Sequence, residues 1–114
     1  MLAAPVSAER VLVASNAIWM VDTDRSEATE LAPLGLFVKD LAVDAAGQIY
    51  ASDPAMFRVL VYDATGEIKA SFGRFGTELD SFAMPNGLAF DPITNQILVA
   101  DADNQRVMVF PTVP

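Results

Sequence analysis

The chain repeats itself. Leu41-Ala42-Val43-Asp44-Ala45-Ala46-Gly47-Gln48-Ile49-Tyr50-Ala51-Ser52-Asp53 aligns with Leu88-Ala89-Phe90-Asp91-Pro92-Ile93-Thr94-Asn95-Gln96-Ile97-Leu98-Val99-Ala100-Asp101, and the second copy carries one extra turn residue. The register then holds, with Arg58-Val59-Leu60-Val61-Tyr62 over Arg106-Val107-Met108-Val109-Phe110; the offset is 47 before the turn and 48 after it. A fainter third copy is Val11-Leu12-Val13-Ala14-Ser15, then Ala17-Ile18-Trp19-Met20-Val21-Asp22. A period in the forties built from β-type units is the spacing of propeller blades of four strands each.

Local cues agree. Short β-branched and aromatic runs alternate with turn residues, which marks an all-β chain. Asp44-Ala-Ala-Gly47 and Asp63-Ala-Thr-Gly66 place Asp first and Gly last, the preference of a type I turn, and Asp91-Pro92 opens another. Helical periodicity is weak, with only Ser26 to Leu31 as a candidate.

The stretch Phe72-Gly73, Gly76, Phe82, Pro85-Asn86-Gly87-Leu88-Ala89-Phe90-Asp91, Gln96-Ile97-Leu98-Val99-Ala100-Asp101 and Asn104-Gln105-Arg106-Val107-Met108-Val109-Phe110 resembles the NHL repeat. That pattern runs Phe-Gly, Pro-x-Gly-Ile-Ala-Val-Asp, Ile-Tyr-Val-Ala-Asp and Asn-x-Arg-Val-x-Val-Phe. The match is close over residues 72–110, fair over 38–72 and faint before 22. The resemblance implies a partial β-propeller of four-stranded antiparallel blades, an open arc of about three, where relatives commonly close six. The implied blades span residues 9–34, 35–73 and 74–114, behind an arm or signal-peptide remnant at 1–8. From the axis outward, the middle blade is expected to use Val38–Val43, Gln48–Ser52, Arg58–Tyr62 and Ile68–Phe72. The last blade is expected to use Gly87–Phe90, Gln96–Ala100 and Arg106–Phe110, without an outer strand. The first offers Val11–Ala14, Ile18–Val21 and Thr29–Leu31, with no clear inner strand.

Composition then narrows function. The 114 residues include no His and no Cys, which excludes Cys/His zinc sites, thiolate nucleophiles and Ser-His-Asp triads. The histidine metal site of the peptide-amidating lyases, which resemble this fold, has no counterpart. A net charge of −8, from 7 Lys+Arg against 15 Asp+Glu, argues against nucleic acid and against a basic membrane-surface patch. No apolar run approaches the ~20 residues that span a bilayer. Apolar residues nonetheless make up 53% of the chain, more than a lone small domain readily buries. An arc of three blades with two uncovered end faces accounts for that excess. The chain is therefore expected to be completed by a protein partner, by self-association or by more propeller sequence. Val6-Ser7-Ala8 has the small-x-small look of a signal-peptidase site, which favours an extracytoplasmic location.

Several positions stand out as candidates. Asp53 with Arg58, and Asp101 with Arg106, recur at the same repeat position, which favours structural Asp–Arg pairs pinning hairpins. Asp101-Ala-Asp103-Asn104 hints at a calcium loop but lacks the Gly and distal Glu of an EF-hand, so no cofactor or metal is expected. Gly73-Arg74-Phe75-Gly76 lacks the Lys-Ser/Thr of a phosphate loop and reads as a blade-to-blade crossover. Where the last blade has Ala102-Asp103-Asn104-Gln105, the middle blade has Pro54-Ala55-Met56-Phe57, with Met and Phe at a loop tip. Such residues are enriched at protein interfaces, so Met56, Phe57, Arg74 and Phe75 are candidate partner contacts. Asn86 is added as a residue of the same loop face. The expected function is a non-catalytic scaffold or protein-interaction module. The alternative is a fragment of a calcium-dependent, lactonase-like six-bladed hydrolase, in which Asn86 would serve as the axial ligand.

Overall fold

The computed structural model describes residues 2–5, 10–14, 17–22, 26–33 and 38–114. They form three antiparallel sheets in chain order. The first holds β1 (Leu2–Pro5), β2 (Arg10–Ala14), β3 (Ala17–Asp22) and β4 (Glu27–Pro33). The second holds β5 (Leu41–Val43), β6 (Ile49–Asp53), β7 (Arg58–Tyr62) and β8 (Ile68–Phe72), and the third β9 (Pro85–Asp91), β10 (Gln96–Asp101) and β11 (Arg106–Pro111). Each sheet is a meander whose neighbouring strands are consecutive in sequence, which is how short Asp- and Gly-punctuated runs pair most simply.

The turn chemistry follows the sequence. Gly47 N–H donates to the Asp44 carbonyl at 3.1 Å, and Asp44 Oδ1 accepts the amides of Ala46 and Gln48. Asp63 repeats the device for Thr65 and Glu67, and Asp91 accepts the Ile93 amide and the Thr94 hydroxyl. The Thr65 hydroxyl, with the Glu67 amide, holds the Asp63 carboxyl below its ordinary range, and the Thr94 hydroxyl, with the Ile93 amide, does the same for Asp91.

Alternation along the strands gives the second sheet two apolar faces. Leu41, Ile49, Ala51, Leu60 and Tyr62 form one buried cluster, against which Met20 of the first sheet packs. Tyr50, Val59 and Val61 point the other way and share a second cluster with Phe82, Ile97, Val99 and Met108. Side-chain period two in a strand is what allows one sheet to serve both neighbours. The inner strands β1, β5 and β9 lie side by side, as blades arranged about an axis require.

One expectation is corrected in the first sheet. Leu2–Pro5 is its inner strand, paired with β2 from Leu2↔Ala14 to Pro5↔Val11, and not part of a free arm. Ala and Pro are poor strand formers, so the local sequence carries little sign of it; Pro5 is accommodated at the strand's end. Val6-Ser7-Ala8 and the 34/35 blade boundary lie outside the described residues. No helix among the described residues is long and apolar enough to cross a membrane.

Candidate functional site

The β6–β7 hairpin, the β8–β9 crossover and the β10–β11 hairpin meet at one end of the second and third sheets. The crossover is bolted to the last hairpin by two charged residues. Asp101 is fully buried; its Oδ1 accepts the amides of Ala83 at 3.0 Å and Met84 at 2.8 Å, and its Oδ2 accepts Asn104 Nδ2 at 2.8 Å. Arg106 donates from its terminal nitrogens to the carbonyls of Thr77 and Glu78 at 2.8 Å and of Ser81 at 2.9 Å. Asn104 Nδ2 also donates to the Gly76 carbonyl, and the Ala102 amide to the Met84 carbonyl.

The two Asp–Arg pairs therefore differ. Asp53 and Arg58 are cross-strand partners joined directly, Arg58 Nε donating to Asp53 Oδ2 at 3.1 Å. Asp101 and Arg106 also face each other across strands, but Arg106 Nε stands 3.7 Å from Asp101 Oδ2 and makes no hydrogen bond. Each of these two spends its bonding capacity on the crossover instead of on a bidentate fork.

The aromatic candidates come together. Phe57 and Phe75 stack with ring centroids 4.7 Å apart and planes tilted by 54°. Phe75 is 66% exposed and Met56, one residue before Phe57, is 59% exposed. Arg74, beside Phe75, is held by its own loop: its Nε donates to Asp80 Oδ2 at 3.2 Å and its Nη2 to Glu78. The pairing raises the Arg74 guanidinium and lowers Asp80, which also accepts the Ser81 hydroxyl. Asn86 is exposed and is tied in through its backbone carbonyl, which accepts Ser52 Oγ at 2.6 Å.

Two polar clusters lie outside the residues singled out by sequence. Asp40 Oδ2 accepts the Leu88 amide while Ser52 Oγ accepts the Asp40 amide, so the inner strands of the second and third sheets are knitted together. At the far end of the strands, buried Asp44 Oδ2 accepts Gln48 Nε2 and the Tyr50 hydroxyl, and the Val113 amide donates to that hydroxyl at 2.9 Å. Burial pushes Tyr50 up to about 12, the Val113 N–H opposing and Asp44 reinforcing the shift. The repeat comparison could have flagged both, because Gly87 and Leu98 stand where Asp40 and Tyr50 do. Among the described residues, no group of three Asp or Glu is placed to hold a metal ion.

Residues 82–110 match the family model of the NHL repeat. No curated protein sequence matches the chain significantly. A chain from the crystal structure of a nidogen/laminin complex superposes with a TM-score of 0.69 at 17% identity, covering 94% of this chain and 46% of the other. A streptogramin B lyase superposes with a TM-score of 0.60 at 13% identity, covering 99% and 40%. A virginiamycin B lyase from Staphylococcus aureus does so with a TM-score of 0.57 at 19% identity, covering 98% and 41%. Likeness at these identities shows the β-propeller fold, and the chain spans less than half the length of each of these relatives.

Proposed function

From a chain that carries an NHL repeat within propeller-type sheets, we infer a non-catalytic binding scaffold, completed by further propeller sequence, a second copy or a partner protein. One observation carries the reading. The face that the second sheet turns to the third through Tyr50, Val59 and Val61 is repeated on the third sheet by Leu98, Val107 and Val109. There Val107 is 62% and Val109 52% exposed. The same sheet has three strands where the second has four, so the outer edge of β11 is free among the described residues. An apolar face and an open edge are features that a folded chain covers.

A non-catalytic role is supported by how the buried carboxylates are used. Asp44 and Asp101 spend their oxygens on main-chain amides and neighbouring side chains, which suits loop and strand positioning. The lyase relatives motivate the enzymatic alternative, in which Asn86 would hold calcium. Thermal melting with added calcium and with chelator separates the two. The scaffold reading expects the same Tm in both, and a calcium-dependent rise in Tm would favour the enzyme fragment. An extracytoplasmic setting fits the same scaffold role.

A further inference from the structure

We propose that Met56, Phe57 and Phe75 form a docking site for a protein segment whose apolar side chains are flanked by lysine or arginine. The proposal rests on the binding-scaffold reading and adds the chemistry of the partner.

Two hairpins of the same geometry allow the comparison. Phe57 and Gln105 occupy equivalent positions with φ of 56° and 53°, their amides bonded to the carbonyls of Pro54 and Ala102. Bulky residues disfavour this left-handed conformation, and residues held in it cluster at ligand clamps. One position earlier, Asn104 anchors its loop through Gly76 and Asp101, whereas Met56 extends into solvent. The second sheet's hairpin has thus given up an anchoring amide and placed an aromatic ring where a small or polar residue fits better. Both departures fall at one tip, and sequences break local rules mainly at functional sites. The tip abuts Phe75, and the same crossover carries Leu79, 86% exposed, between Glu78 and Asp80.

Charge selects the partner. Arg74 is bound by both Glu78 and Asp80, whose side chains remain 70% and 67% exposed. Two carboxylates against one guanidinium leave the rim anionic, Asp103 is exposed on the adjacent hairpin, and the chain carries −8. Lysine and arginine suit such a site, since their stems lie along aromatic faces while their charges reach carboxylates.

The test is fluorescence anisotropy of two labelled peptides, one alternating Leu and Lys, the other Leu and Glu, at physiological salt. The Leu/Lys peptide should bind the native chain at least about tenfold more tightly than the Leu/Glu peptide. Met56→Asn with Phe57→Gln transplants the tip residues of the third sheet's hairpin, and Phe75→Ser removes the exposed ring. Each should weaken Leu/Lys binding by about tenfold or more at an unchanged Tm. If Phe75→Ser fails to fold, the tip exchange decides, because this fold already contains that tip. Equal binding of the two peptides, or undiminished binding by the folded tip variant, overturns the proposal. Sedimentation of the tip variant should match the native chain; loss of self-association would make the patch an interface between copies and also overturn it. A failure of the scaffold reading shows elsewhere, as insensitivity of assembly to Val107 and Val109.

Discussion

Gly73, where β8 leaves for the crossover, is the position at which the fewest added atoms should do the most damage. Its φ is +104°, and a Cβ there would lie 2.4 Å from Cδ2 and Cε2 of Phe82 and 2.9 Å from the Phe57 carbonyl oxygen. Phe82 cannot retreat freely. It is fully buried, with the Phe72 and Phe110 rings 6.4 Å and 5.7 Å away by centroid. Overpacking of this kind costs about 1–3 kcal/mol. A side chain in a sparsely populated backbone region adds about 1–3 kcal/mol. Stiffening the unfolded chain returns about 0.4–1 kcal/mol. Gly73→Ala should therefore lose between about 1 and about 5 kcal/mol, centred near about 3 kcal/mol, a large part of the stability of a small domain. Gly47→Ala is the control: its φ is +82°, but the new Cβ would meet only Ala64 Cβ at an ordinary 3.5 Å. It should lose about 1 kcal/mol, from the backbone alone. Urea unfolding of both variants at one protein concentration measures the difference. If Gly73→Ala loses no more than Gly47→Ala, the close packing of Phe82 over the crossover is refuted.

Two further predictions concern the buried polar groups. Tyr50 is raised from 10.0 to about 12, so its contribution is fully present below pH 10 and is lost as pH rises from 10 toward 12. Tyr50→Phe should flatten that alkaline loss, with Tyr62, also raised by burial, keeping the remainder. At neutral pH the same change should cost about 1–3 kcal/mol, because Asp44 and the Val113 amide lose their partner. Asp101→Asn places an amide nitrogen among the donors of Asn104 and Arg106 or opposite the Ala83 and Met84 amides. It should cost about 2–4 kcal/mol and make the crossover, residues 73–84, more sensitive to limited proteolysis. Unchanged unfolding and cleavage would remove Asp101 as the crossover's anchor.

The second and third sheets were legible in sequence because their strands are rich in Val, Ile and Leu and their turns open on Asp. Strands expected at Arg58–Tyr62 and Ile68–Phe72 are found there, and those expected in the last blade extend by a residue or two at their ends. β1 was hidden because Leu-Ala-Ala-Pro is held by its partners more than by its own propensity. At the loop end, Met56-Phe57 stands out in the sequence as a departure from the repeat, but spacing could not show that Met56 is exposed while Phe57 meets Phe75. Nor could it show that Arg74 is occupied by Glu78 and Asp80, because crossover conformation depends on contacts across the chain. Asp101 and Arg106 were recognised as a pair, while their use in holding residues 76–84 required the three-dimensional path of that loop.

The third sheet presents an apolar bearing face, with Val107 and Val109 exposed on it. Sedimentation velocity of the 114-residue chain across micromolar concentrations reads whether that face becomes covered, with Val107→Lys and Val109→Lys as a paired variant. The native chain should associate in a concentration-dependent way, and the variant should be folded and monomeric. A native chain that stays monomeric throughout, or a variant that associates as the native chain does, would contradict a bearing role for the Val107 and Val109 face.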